Sequence, residues 1–354
     1  MSEIVLILGA GASADAGGPL MSDFISKARD FLRKNQGDEY VEDFTRVFEA
    51  IAKLQKVHSK SDLDLHNIEE IFGAFEMARM IGTFPDWSEG DIASLVESLK
   101  RVIVRTLETQ IRFAIGERGG LLPTSSYRKL ADVIARINSS RSRPRCSVIT
   151  FNYDVALDYA LRFANIPVDY GLEGNPKIGT PLLKLHGSVN WAKVQDGDGI
   201  LPWDVMEYTL RKTWPRDATS PTGRLTVGSD IISGRLTQPL IATERIPVII
   251  PPTWNKTNHY VPIASVWRRA ANELASAEYI FVSGYSLTGT DTYFKYLFSL
   301  GSTSDRILQR FEVFDPGAVE DKFKRILGPA ARSVFRHYQN DFLGLVETLA
   351  TLTS

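Results

Sequence analysis

Close behind the N-terminus, the aliphatic run Ile4–Leu8 breaks into Gly9-Ala10-Gly11-Ala12-Ser13 with no polar residue between them. The run does not alternate apolar with polar residues. As a strand it is therefore buried on both faces, the situation of a parallel sheet whose crossovers cover each side. Glycines at 9 and 11 allow a tight turn and let backbone N–H groups approach a pyrophosphate. The N-terminus of the helix expected next adds partial positive charge. The competing reading is a glycine turn that serves only strand-to-helix packing.

Further apolar runs extend the pattern. Strands are expected at Cys146–Phe151, Pro181–Leu185, Ile246–Ile250, Tyr279–Ser283 and Glu312–Phe314, with a weak one near Val334. Helical periodicity is expected over 19–35, over 38–56 (with Phe44, Val47, Phe48 and Ile51 on one face), in NIEEIFGAFEMARMI, and from Gly90 to about Ala114. It returns at Tyr127–Ile137, Val155–Ala164, Ser265–Ser276, Thr292–Gly301 and from Val319 onward. KVHSKSDLDLH, GERGGLLPTSS and SSRSRPR read as polar breaks and loops. Strands alternating with helices specify an α/β domain. The expectation is a Rossmann-like parallel sheet with helices on both faces, in one domain spanning 1–354. It carries a mainly helical insertion over 20–140 and an irregular loop and short-strand insertion over 187–245.

Composition excludes several classes. Lysine plus arginine (41) nearly balance aspartate plus glutamate (42), which leaves no electrostatic footprint for nucleic acid or an anionic membrane. No stretch approaches the ~18 apolar residues a membrane span needs. No basic region precedes Ile4–Leu8, so a signal peptide is not expected. A single cysteine, Cys146, cannot form an intrachain disulfide or a cysteine-rich zinc module, so no metal is expected. A cytoplasmic setting follows as the default.

The dehydrogenase fingerprint fails at two points. Its third glycine would stand at position 14, which is Ala14. The acidic residue that should close a second strand has only Asp30 at the right distance, in a helical context. Two later strand ends carry polar residues instead. In open α/β sheets ligands sit at the carboxyl ends of strands, so Asn152 and Asp154 in Thr150-Phe151-Asn152-Tyr153-Asp154 face such a crevice, or else cap the next helix. In Lys184-Leu185-His186-Gly187-Ser188 the histidine lies between an apolar run and a glycine turn, as a site residue or a packed one. His58, His66, His259 and His337 have no comparable setting.

Together GAGAS with its following Ala16-Gly17-Gly18-Pro19, TFNYD and KLHGS resemble the ordered motifs of the sirtuins. Val282-Ser283-Gly284-Tyr285-Ser286-Leu287 is similar to the later Gly-x-Ser loop of that family. The resemblance covers landmarks from residue 4 to about 315 and not the insertions between them. Two departures stand out: the four-cysteine zinc module cannot be built, and Leu20-Met21-Ser22 replaces the usual acidic-aromatic-basic triplet. NIEEIFGAFE and Pro251-Pro252-Thr253 look like the divergent bacterial sirtuin-like proteins associated with antiphage defence through NAD⁺ depletion.

The resemblance implies a chain that cleaves NAD⁺, its substrate, to ADP-ribose and nicotinamide. Gly9, Ala10, Gly11, Ala12 and Ser13 would cradle the pyrophosphate, Asp154 would bind the nicotinamide carboxamide, and Gly284 and Ser286 would meet the adenosine ribose. Asn152 would orient a water or the ribose hydroxyls, and His186 would accept a proton. The alternatives are a non-catalytic sensor of NAD⁺ or ADP-ribose, and a protein deacylase or ADP-ribosyltransferase. Because free-running NAD⁺ hydrolysis would harm a host, restraint is expected from a homo-oligomer or a separate regulatory protein, such as an Argonaute or a hexameric ATPase. Linear and cyclic products both stay open.

Overall fold

The computed structural model describes residues 2–55, 60, 62–117, 120–139, 145–173, 178–194, 199–206, 224–226, 243–250, 263–287 and 292–352. Residues 140–144 of the SSRSRPR loop, Pro251–Thr253, His58, His259 and most of 207–242 lie outside the described residues.

The first strand, β1 (Ile4–Leu8), sits at the centre of a seven-stranded sheet, with every residue buried. To one side lie β4 (Cys146–Thr150), β6 (Thr180–Lys184) and the two-residue edge strand β5 (Val168–Asp169). To the other lie β11 (Tyr279–Ser283), β12 (Arg310–Phe314) and β13 (Phe335–Tyr338). Every pairing in this sheet is parallel. On one side of β1 the chain lays down β4, then the edge strand β5, then β6 between them. It returns and progresses outward on the other side through β11, β12 and β13. This reversal beside β1 defines a doubly wound, Rossmann-like α/β fold and opens a crevice at the carboxyl ends of β1 and its neighbours.

Strand pleating sorts the core into two layers. Ile4, Leu6 and Leu8 pack on one face with the helical residues Phe31, Phe44, Phe72, Leu99, Leu130 and Leu345. Val5 and Ile7 point the other way, toward Val266, Phe294 and Phe323. The first face is covered by α1 (Phe24–Lys34), α2 (Val41–Leu54), α3 (Ile68–Ile81), α4 (Glu89–Gln110), α5 (Ser125–Ser139), α6 (Ala156–Phe163) and the final helix, α11 (Phe342–Leu352). The second is covered by α7 (Ala264–Ser276), α8 (Thr292–Gly301) and α9 (Glu320–Ile326); a short α10 (Pro329–Ser333) leads into β13. Local chemistry fixes the helix starts. Ser88 and Asp91 form a reciprocal capping box on α4, and the Asn67 side chain accepts from Glu69 N at 2.9 Å to cap α3.

Four expectations are corrected. No α-helix follows the glycine loop directly: Ala10–Ala16 is a tight 3₁₀ turn stopped by Gly17 at φ 87°, and α1 begins only at Phe24. The helix expected to reach Ala114 stops at Gln110. Arg112–Ile115 is a strand, β2, whose exposed/buried alternation has a period of two. β2 pairs with β3 (Leu121–Leu122), inside the expected GERGGLLPTSS loop, and with β9 (Arg224–Thr226). Finally, the strand expected at Ile246–Ile250 is β10 (Thr243–Ile249), which runs antiparallel to β7 (Gly187–Val194) in a separate three-stranded sheet with β8 (Ile200–Pro202). An apolar run announces burial but not the partner strand.

Candidate functional site

A cavity of about 500 Å³ opens over the carboxyl ends of β1, β4, β6 and β11. It brings together Gly9, Ala10, Gly11 and Ser13 with Asn152, Asp154, His186, Gly284 and Ser286. Of the expected residues, Ala12 alone is absent from the wall; it is 1% exposed and packed beneath the loop.

The glycine loop works by close approach. Gly9 N donates to Ser283 O at 3.1 Å, Gly11 N to Gly284 O at 3.0 Å and Ala12 N back to Gly9 O at 2.9 Å. These three amides are therefore committed to backbone, and the donors for a phosphate have to come from the rest of the turn. A Cβ on Gly9 would stand 2.4 Å from Gly284 O, and one on Gly284 would stand 2.2 Å from Ala12 N, so neither loop tolerates a side chain at the contact.

Asn152 is tied into the same loop. Its Nδ2 donates to Gly9 O at 2.9 Å and to Ser13 Oγ at 3.1 Å. Because Gly9 O can only accept, the amide orientation is fixed, and Oδ1 is the group it offers to a ligand. Ser13 Oγ also shares a 2.9 Å hydrogen bond with the hydroxyl of the fully buried Tyr127, whose pKa burial pushes well above its usual value.

Asp154 realises the capping alternative while also lining the cavity: its Oδ1 accepts from Ala156 N at 2.9 Å at the start of α6. Desolvation raises the pKa of this carboxyl, opposed by the neighbouring Lys184 and by the Ala156 and Ser13 hydrogen bonds.

His186 is 3% exposed and held among rings, edge-on to Phe151 at 5.1 Å and 5.8 Å from Tyr153. Phe151 stacks in turn on Tyr285 at 4.1 Å. Gly187 follows at φ 83°, where a Cβ would lie 1.9 Å from Val248 O of β10. The glycine after the histidine is thus demanded by the second sheet.

The opposite wall is apolar and comes from the helical segment. Met21 in the turn before α1, Phe24 at its start, Ile68 and Phe72 of α3, and Ile103 and Leu107 of α4 line it, with Glu69 (8% exposed) the carboxylate in their midst. Asp341 and Phe342, at the start of α11, close one end. Sequence reasoning missed Tyr127, Glu69, Lys184 and Phe342. Tyr127 and Phe342 had only an apolar periodicity for a signal, and Glu69 and Lys184, though inside quoted segments, had nothing local to say that the fold would bury them beside the site. Cys146 is buried in β4 with its thiol pushed up to about 12 by burial, so it stays protonated and offers no nucleophile. Among the described residues, no group of three His, Cys, Asp or Glu side chains could hold a metal ion, and no helix is long and apolar enough to cross a membrane.

No protein-family model matches the chain, and a search of curated proteins finds no match. Among solved structures, the chain is similar to a Sir2 homolog–NAD complex at 12% identity, covering 100% of this chain and 91% of that one, with a TM-score of 0.43. It is also similar to a mutant Sir2 homologue–ADP ribose complex at 12% identity (99% and 92% covered, TM-score 0.39). A third likeness is to Sir2 bound to acetylated peptide, at 14% identity (99% and 92% covered, TM-score 0.36). With TM-scores this low, the α/β assignment rests on the chain's own strand order and not on these likenesses.

Proposed function

We propose that the chain is a sirtuin-like NAD⁺ glycohydrolase that releases nicotinamide and ADP-ribose. The observation that carries this reading is the single cavity in which two glycine loops, Asn152, Asp154 and His186 converge at the switch point of the sheet, from segments far apart in sequence.

The chemistry asks little of the protein beyond placement. The bond between the ribose C1′ and the pyridinium nitrogen breaks with its electron pair going to nitrogen, so nicotinamide leaves neutral without protonation. Water then bonds to C1′ and gives up a proton. Asn152 Oδ1 accepts a hydrogen from that water or from a ribose hydroxyl, and His186 takes the proton and passes it to solvent. The apolar wall of α1, α3 and α4 keeps bulk water from the oxocarbenium-like state. The Gly9–Ser13 loop and the Gly284–Ser286 loop hold the pyrophosphate and the adenosine ribose, and Asp154 holds the carboxamide.

The divergent sirtuin-like resemblance extends this reading to antiphage defence by NAD⁺ depletion, with restraint from self-assembly or from a separate protein. The test is to incubate the purified protein with NAD⁺, alone and with the products of neighbouring genes, and to identify products by chromatography. NAD⁺ recovered intact under every condition rejects the hydrolase.

Asn152→Ala is expected to abolish nicotinamide release. Its stability cost is modest, about 1 kcal/mol for each lost hydrogen bond, because the side chain lies at the cavity edge and not in the core. Release at the wild-type rate, with melting followed by circular dichroism, would remove Asn152 from the catalytic centre.

A further inference from the structure

Beneath the floor of the cavity lies a buried ion pair that none of the roles above uses. Lys184, the last residue of β6, is 1% exposed, and its ammonium donates to the backbone carbonyl of Asp154 and to Asp158 Oδ2 at 3.0 Å. Asp158, 2% exposed on the first turn of α6, accepts the Tyr170 hydroxyl on its other oxygen at 2.7 Å. Lysine is almost never this deep unless paired, and replacing a buried ion pair with apolar residues of similar volume is often neutral or stabilising. Stability alone therefore does not account for a charge here. The direction of the lysine does, because one of its acceptors is the main chain of the loop that carries the site.

That loop is tied at several points, among them Asn152 Nδ2 to Gly9 O and Val189 N to Tyr153 O, and Lys184 supplies the tie at Asp154. Thr150 and Lys184 are register partners on neighbouring strands, and Leu185 N donates to Thr150 O at 2.9 Å. Asn152 follows closely on Thr150, as His186 does on Lys184, so the sheet sets the two strand ends level. Beyond that point the β4 side keeps one more bond to β1, Phe151 N to Leu8 O at 3.1 Å, and one from β7, Val189 N to Tyr153 O at 3.0 Å. Lys184 adds a tie from β6 to the Asp154 carbonyl, at the far end of the loop from Thr150, where the loop passes into α6.

We propose that Lys184 is a positioning residue: its ammonium holds the Phe151–Val155 loop, and with it Asn152 and the Asp154 carboxylate, in register with His186. The proposal rests on the reading of this cavity as a nicotinamide-releasing site, and it adds a residue that acts on the loop without touching the substrate.

Lys184→Met alone leaves Asp158 buried without its cation and is expected to lower the melting temperature. The deciding variant is therefore the double substitution Lys184→Met/Asp158→Asn, which removes both charges and keeps an acceptor for Tyr170. It is expected to melt close to the wild type while kcat for nicotinamide release falls roughly 10- to 100-fold and KM changes by less than about threefold. Hydrogen–deuterium exchange, followed without NAD⁺, should be roughly tenfold faster at 151–155 and unchanged in β1. If both the rate and the exchange return to wild-type values along with the melting temperature, Lys184 serves stability only and the proposal is overturned. A wild type that leaves NAD⁺ intact would reject the hydrolase, whereas the exchange measurement would still decide whether the lysine holds the loop.

Discussion

His186→Ala is expected to bind NAD⁺ about as well as the wild type and to release nicotinamide roughly 10²–10⁴-fold more slowly, the usual contribution of a general base. The imidazole lines the cavity and is 3% exposed, held by the rings of Phe151 and Tyr153 and followed by a glycine whose conformation β10 enforces. A group fixed this firmly is pre-organised for one proton acceptor position. The phosphate and adenosine contacts are assigned to Gly9–Ser13 and Gly284–Ser286, so binding should survive its loss. Calorimetry with NAD⁺ beside a nicotinamide-release assay, with any activating protein present, separates the readings. Unchanged turnover would leave His186 as a packed strand-end residue. A sensor, in contrast, binds NAD⁺ and shows no turnover in the wild type either. The structural uses of Asn152 and Asp154, as loop tie and helix cap, are what that sensor reading has in its favour.

Gly284→Ala is expected to destabilise the protein by about 2–5 kcal/mol and to weaken NAD⁺ binding together with stability. Gly284 has φ 65°, a region that costs an L-residue about 1–2 kcal/mol. The added Cβ would also stand 2.2 Å from Ala12 N and 2.7 Å from Gly11 C, both of them backbone that no rotamer can move. Overpacking of this kind adds about 1–3 kcal/mol. The neighbouring Gly11 N–Gly284 O hydrogen bond at 3.0 Å would have to lengthen as the two loops part. Gly37, with no atom within 4 Å of a built Cβ, is the control, and its alanine variant should stay within about 0.5 kcal/mol of the wild type. A Gly284→Ala melting curve superimposed on the wild-type curve would show that the two glycine loops are not locked together as described.

The parallel sheet was legible because β1 (IVLIL) and β11 (YIFVS) are nearly continuous apolar runs, and β4 (CSVIT) and β6 (TPLLK) carry apolar cores; such runs stay buried on both faces only under crossovers. β5 was not legible, since two residues carry no period, and neither was β2, whose alternation continues directly from the periodicity of α4. β10 was seen as a strand but not as a member of the second sheet, because register with β7 depends on residues brought near only by the fold.

For the site, the sequence by itself determined which chemical groups stand at the ends of strands: Gly9 and Gly11, Asn152 and Asp154, His186, Gly284 and Ser286. Strand ends are local features, and the residues there are read directly from where each apolar run stops. Only the tertiary structure decided how those groups are used. It committed the amides of Gly9 and Gly11 to residues 283 and 284, tied the Asn152 Nδ2 to Gly9 O and Ser13 Oγ, and gave Asp154 a helix to cap. It also brought the apolar wall of α1, α3 and α4 over the crevice and set Lys184 beneath the loop. The physical reason is the same in each case. A hydrogen bond or a packed wall depends on distances of a few ångströms between segments separated by many residues, and no periodicity along the chain encodes which of them will meet.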